Sequence, residues 1–391
     1  MKKSTANSKR IIQAKGLFLI GGLALLVLAV SWLLFSLFAH ADTTTTASFQ
    51  AESSTKTGVT TISDAQASGG SAIQFPAPTT GVPVQCASGG TYLWNNLETC
   101  GWPGAGNTGV PEGTTLTNAN GRTITANNTV IDGQNITGNI TVNATGVIIR
   151  NSKITYTGNG GGGSGAIKVL ANATATIENV EINGQTQVHT CIWHEGSSIT
   201  IRKVNCHDVE DGMFSWAQGT GSAISGDNFT IEDNYIHNLG GSESNGHYDG
   251  WQTEGAANGV IRHNTFRTSP DGTSLVAIWN SQKNSTNITV ENNLFAGGGF
   301  SIYAQDYHPS ESSPSGGYTV TKINFLNNKF STILDSCVGG FGVWFYRASW
   351  QPYQGGPTDG WNTTAGGSSR SGNRILETGF NLDNGNPAGC T

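Results

Sequence analysis

The chain has 391 residues, 54 of them Gly and only 12% charged, with a formal net charge of −6. Five of its 20 basic residues and none of its 26 acidic ones fall in the first 41 positions, so the remainder carries 15 basic against 26 acidic side chains, a net −11. A surface that acidic argues against nucleic acid, which needs a basic footprint, and gives no long-range attraction for a polyanionic glycan unless a cation bridges the two.

Lys2, Lys3, Lys9, Arg10 and Lys15 precede an uncharged apolar run of 22 residues, Leu17 to Phe38. About 20 such residues span a bilayer as a helix, and the basic flank holds the N-terminus in the cytoplasm. Ala39-His40-Ala41 has the A-x-A form that signal peptidase cuts. Residues 1–41 therefore read as a signal peptide or a signal-anchor, the length favouring an anchor through residues 17–38 and the A-x-A favouring cleavage. Either way the rest is exported, secreted or held at the outer face of the cytoplasmic membrane. Residues 42–80 are Thr, Ser, Ala and Gly with few apolar side chains. They bury too little surface to offset ordering entropy and read as a flexible linker. Beyond it lie all six cysteines, Cys86, Cys100, Cys191, Cys206, Cys337 and Cys390. An even count outside the cell predicts disulfides. Nearest-neighbour pairing would clip an N-terminal cap, one mid-chain turn and the C-terminal end, and is one of about 15 pairings open to six cysteines. No C-x-x-C occurs, so zinc is a poor reading and no metal site is assigned.

Residues 81–391 form one predicted domain, organised by repetition. The pattern apolar–polar–Asn/Asp–x–x–apolar recurs as "VIDGQNI" (130–136), "IIRNSKI" (148–154), "TIENVEI" (176–182), "TIRKVNC" (200–206) and "TIEDNYI" (230–236), then "VIRHNTF" (260–266), "TVENNLF" (289–295) and "NFLNNKF" (324–330). Its matching positions, Ile131, Ile149, Ile177, Ile201, Ile231, Ile261, Val290 and Phe325, are 18, 28, 24, 30, 30, 29 and 35 residues apart. Each unit is apolar at every second residue and bounded by Gly or Asn turns, which makes it a strand. Coils of strands repeating at such a period predict a solenoid. Leucine-rich repeats share the period but need Leu-rich, helix-compatible stretches that are absent.

The recurring IxxN units with "HNT" and "NN" turns resemble right-handed parallel β-helix proteins of the pectate-lyase-like superfamily. "GWPGAGNTGVPEGTTLT" (101–117) is similar to the opening of secreted bacterial β-helix proteins. The likeness covers roughly residues 100–391 and implies an all-β, single-stranded right-handed parallel β-helix. It does not imply a reaction, because the architecture carries lyases, hydrolases, epimerases, adhesins and inert scaffolds alike. It leaves Ca²⁺ open as a cofactor and requires none.

A second set of strands alternates with the first: "AIKV" (166–169), "CIWH" (191–194), "GMFS" (212–215), "GWQT" (250–253), "AIWN" (277–280), "SIYA" (301–304) and "GVWF" (342–345). With Ile167, Ile192, Met213, Ile278, Ile302 and Val343 inward, the outward positions are Lys168, Trp193, Phe214, Trp251, Trp279, Tyr303 and Trp344. In a parallel coil these stack about 4.8 Å apart, an aromatic strip of the kind that carries sugar rings or else merely stiffens the solenoid. Insertions at 217–228, 306–320 and 348–373 follow strands of this set and would wall a groove, the last bringing Trp361. The Asp-Gly step of "HDVEDGMFSW" (207–216) recurs one coil later in "GHYDGWQTEG" (246–255). Stacking the steps sets Asp211 and Asp249 about 5–10 Å apart, a range covering both geometries of glycoside hydrolysis. Two close carboxylates push one pKa upward and so supply an acid and a base. That register pairs Trp251 with Met213 and turns its ring inward, so the strip and the pair compete. His247, His207 and Glu254 are further catalytic candidates, and Gln252 is a binding candidate.

The lyases of the superfamily use a basic residue, and only Lys168 and Arg347 flank the strip, at opposite ends. The pectin-hydrolase set (N-x-D, D-D, G-H-G, R-I-K) and the epimerase D-P-H-D are missing. The sequence therefore points to an exported, glycan-engaging protein, hydrolase-like, with Asp211, Asp249, His247, His207 and Glu254 catalytic and Trp193, Phe214, Trp251, Trp279, Tyr303, Trp344, Gln252 and Trp361 binding a polysaccharide or cell-surface glycan. The alternatives are a non-catalytic adhesin and a structural β-helix, with a lyase less favoured.

Overall fold

The apolar residue that marks each repeat stacks on its counterpart in the next. In the computed structural model, Ile131, Ile149, Ile177, Ile201, Ile231, Ile261, Val290 and Phe325 are successive register partners in parallel strands. None is more than 1% exposed. The structure describes residues 60–63, 71–74, 82–158, 163–217, 226–240, 247–305, 318–347 and 367–390.

Residues 1–79 and 80–391 are separate compact units. In the first, Thr60–Ser63 and Ser71–Gln74 pair as antiparallel strands within the stretch that composition marks as linker. The apolar run 17–38 lies outside the described residues. Among those described, no helix is long and apolar enough to cross a membrane.

In the second unit the strands of the described residues, from Thr117–Ile124 to Arg374–Ile375, join one 24-stranded, predominantly parallel sheet. They fall into three stacks. The first contains Thr174–Asn183, Ser198–Arg202, Phe229–Glu232, Ala257–Arg262, Ser285–Glu291 and Val320–Leu326. The second contains Asn205–Val209, Tyr235–Leu239, Thr265–Arg267, Leu294–Ala296 and Lys329–Phe330. The third contains Gly165–Val169, Thr190–His194, Asp211–Ser215, Asp249–Thr253, Ser274–Ile278, Phe300–Gln305 and Gly342–Arg347. From Ser198 on, each strand pairs with the strand three further along, so the chain visits the stacks in rotation. This all-β topology is compatible with a parallel β-helix.

The Asn of the repeat is the corner between the first two stacks. Lys203, Asp233, His263, Asn292 and Asn327 sit there with φ between 49° and 58°, a left-handed step that Asn and Asp tolerate better than most. It turns the chain within two residues and buries the residue that follows. At four of the five corners that residue is Asn, at positions 234, 264, 293 and 328, each 0% exposed. The Asn234 amide donates to Asn264 Oδ1 at 2.8 Å, Asn264 to Asn293 at 3.0 Å, Asn293 to Asn328 at 3.0 Å and Asn328 to Asn373 at 3.0 Å. Asn373 ends the ladder on Asp383. A buried amide costs free energy unless satisfied, and here each rung satisfies the next.

The disulfides are Cys86–Cys100, Cys191–Cys206 and Cys337–Cys390, the nearest-neighbour set, and they suit an oxidising, extracellular environment. The first does not clip an end cap. The short helices Val84–Ala87 and Gly90–Asn95 lie along the side of the second stack, where Leu93, Trp94 and Leu97 cover the outward faces of Tyr235, Leu294 and Ala296. These apolar residues on the outside of the stack needed a cover.

Candidate active site

The third stack carries the candidate chemistry, and its register is set by glycine. A Cβ on Gly212 would run into the Gly250 carbonyl oxygen, and one on Gly250 would meet the Leu275 carbonyl oxygen at 2.5 Å. The two Asp-Gly steps therefore stack. Met213 pairs with Trp251, and Ile167, Ile192, Met213, Trp251, Val276, Ile302 and Trp344 form the inward column. Lys168, Trp193, Phe214, Gln252, Ala277, Tyr303 and Phe345 form the outward one.

This corrects the expected aromatic strip. Trp251 is inward and fully buried, its Nε1 donating to Ser215 Oγ at 3.3 Å. Trp344 is inward too: it packs edge-on against Phe325 and Phe330 and donates from Nε1 to the Leu382 carbonyl at 2.9 Å. Of the remaining rings, Trp193, Phe214 and Trp279 are 6%, 5% and 7% exposed. Trp193 packs on Phe214 and Trp216, centroids 4.7 and 5.7 Å away, and donates to Glu195 Oε1 at 2.9 Å. Tyr303 is half-buried, with Phe345 stacked on it at 4.4 Å. Phe345 could have been found by carrying the glycine register to the end of the stack. Trp361 lies outside the described residues, as do most of the three insertions.

What the register does assemble is a cleft of about 300 Å³. Six candidates line it: Asp211, His247, Gln252, Glu254, Phe214 and Trp279. His189, Glu210 and Trp216 line it as well and were missed. Their signal was the residue before each stacked step: His189 precedes Thr190 and Glu210 precedes Asp211, which are register partners. Asp211 is 1% exposed. Its Oδ1 accepts from the Asp249 backbone N–H at 2.8 Å, its Oδ2 accepts from Gln252 Nε2, and His189 Nε2 lies 3.6 Å from Oδ2. Burial pushes the Asp211 carboxyl well above the ordinary carboxylate range, and the charges of Asp249 and Glu210 push it further. The hydrogen bonds from Asp249 and Gln252 oppose this without reversing it. Glu254 is also raised, by burial against the hydrogen bonds it accepts from Ser281.

Asp249 is not in the cleft wall. It is 0% exposed, one rung behind Asp211. Its Oδ1 accepts from Ser274 Oγ at 2.5 Å, while Oδ2 is buried without a partner. Burial lifts its pKa to about 7 against the Ser274 hydrogen bonds. His207 is separate again. It belongs to the second stack, where its Nδ1 lies 2.7 Å from Asp208 Oδ2, and the chain turns the corner at Glu210 before reaching Asp211. Among the described residues no group of three or more His, Cys, Asp or Glu is placed to hold a metal ion.

The chain matches no protein-family model, no curated protein and no solved structure.

Proposed function

We propose that this chain is an exported glycoside hydrolase built on a right-handed parallel β-helix of the pectate-lyase-like kind, with the third-stack cleft as its active site and a neutral glycan as substrate. The observation that carries the reading is the pairing of a buried Asp211, its proton held by burial and neighbouring charge, with Glu210 and Glu254 in one cleft. Asp211 donates its proton to the glycosidic oxygen as the bond to the anomeric carbon breaks. The Glu210 carboxylate either attacks that carbon or takes a proton from the attacking water. Asp249 and Gln252 are positioning residues that aim Asp211 through its two oxygens. Phe214, Trp216 and Trp279 offer apolar faces to the sugar ring. An acidic cleft with no Lys or Arg among the described residues of its wall favours a neutral sugar.

Two observations weigh against the other readings. The strip is interrupted, with Trp251 and Trp344 turned inward and Gln252 and Ala277 in the outward column, which disfavours an extended docking surface of the adhesin kind. Lys168 is tied to Glu195 at 3.3 Å and lies under the Trp193 ring, which removes it as the free base of a lyase. The test is a reducing-sugar assay on a panel of neutral polysaccharides. Wild type should release reducing ends and Asp211→Asn should bind but not cleave; binding without cleavage by wild type would overturn the hydrolase reading.

A further inference from the structure

The second stack has a cavity of its own, about 660 Å³, and none of its lining residues lines the cleft. That volume lies within the usual range for small-molecule sites, about 300–1,000 Å³. His207, His237 and Arg267 are register partners on successive strands, so three nitrogen-bearing side chains stack in one column of its wall. The two imidazoles lie nearly parallel, centroids 5.3 Å apart, and Tyr235 stacks on His237 at 4.0 Å. Arg267 is held over the Trp94 ring, 5.3 Å from its centroid.

The charges do not cancel. Asp208 is occupied on both oxygens, by His207 and by the Asn238 amide. Glu181, 3.8 Å from His207 Nε2, is bridged to Lys153 at 2.7 Å. Arg267 has no carboxylate partner among the described residues, in a domain where acidic groups are in excess. Its hydrogen-bond partner Tyr235 is a phenol, not a counter-ion. A half-buried guanidinium that faces a cavity with no carboxylate partner among the described residues is built to take an anion. The rest of the wall mixes hydrogen-bonding Asn238 and Ser269 with apolar Leu239, Pro270 and Leu334, which suits the hydroxyls and the C–H face of a sugar better than a bare inorganic ion.

We propose that this cavity is a second ligand site, for an acidic sugar unit whose anion lies on Arg267. The inference does not depend on whether the cleft turns over a substrate.

Calorimetric titration of the full chain tests it with glucuronate, glucose 6-phosphate and, as neutral control, glucose. At least one of the acidic sugars should bind saturably and at least tenfold tighter than glucose; which one assigns the anion as carboxylate or phosphate. Arg267→Gln should weaken that binding at least tenfold. Because Arg267 also packs on Trp94, Ser269→Trp at the exposed loop position supplies an independent block and should abolish binding with the fold intact. Asp211→Asn should leave it unchanged, which separates this site from the cleft. Equal affinity for glucose, no saturable binding of either acidic sugar, or indifference to both Arg267→Gln and Ser269→Trp would overturn the proposal.

Discussion

A carboxyl that accepts two hydrogen bonds is usually an anion, and Asp211 departs from that because it is buried beside other carboxylates. As the proton donor it must be protonated, so turnover should fall as pH rises through its elevated pKa. Asp211→Asn should lower kcat by about 10²–10⁴, the usual worth of a general acid, with ligand affinity kept; equal kcat in both proteins would remove Asp211 from the chemistry. Asp249 makes a prediction about stability instead. Its folded pKa is about 7 against an ordinary 3.8. Between those values the folded chain holds a proton that the unfolded chain has released, so this group's contribution to stability falls as pH rises from about 4 to about 7. The swing is of the order of a few kcal/mol. Thermal midpoints taken across that range should decline in wild type and less steeply in Asp249→Asn, where Asp211 and Glu254 still contribute; equal slopes would place the pH dependence elsewhere.

At the scale of the element, the corner ladder and the outer face of the first stack both depend on register. Asn264→Leu would take the acceptor from the Asn234 backbone N–H and one of two acceptors from the Asn234 side-chain amide, and the Ile231 carbonyl would lose the Asn264 amide. The expected cost is about 1–3 kcal/mol, from the buried Asn234 N–H left without its acceptor, read as a drop in the urea midpoint. On the outer face Arg150, Glu178, Arg202, Glu232, Arg262 and Glu291 are successive register partners with alternating charge. Arg262 pairs with Glu232 at 2.6 Å. Exposed pairs are worth only about 0.2–1 kcal/mol each, yet a one-rung slip would set like charges against one another. Arg262→Glu should therefore destabilise by about 1 kcal/mol at low salt and much less in 1 M salt; a salt-independent loss would point to packing instead.

At the scale of the molecule, the rotation through three stacks leaves the coil stabilised mainly by contacts between neighbouring rungs. Its C-terminal end is closed by Trp344 and by Cys337–Cys390, a link across 53 residues, against 14 and 15 for the other two. Loop-closure entropy makes the longest link the most stabilising, about 4 kcal/mol against about 3 for the short ones. Cys337→Ser with Cys390→Ser should consequently lower the denaturation midpoint more than removal of Cys86–Cys100. The reverse order would show that the side-lying helices, not the end, limit stability.

The repeat by itself determined the all-β, mostly parallel class and the first stack, because an inward apolar residue every coil and an Asn at most corners are local requirements of strand and turn. The disulfides follow the nearest-neighbour set, one of about 15 pairings that spacing alone left open. The third stack was legible only in part. Asp211, Gln252, Glu254 and His247 meet as their place on the Asp-Gly strands implied, but Trp251 and Trp344 could not be assigned a face from spacing alone. A one-residue shift exchanges inside for outside, and what decides the shift is a glycine contact between strands 38 residues apart in sequence. The burial of Trp193 under Phe214 and Trp216, the removal of Asp249 from the cleft wall and the separation of His207 likewise follow from packing around the strands. That packing runs between coils, and no stretch of sequence short enough to read as a motif contains it.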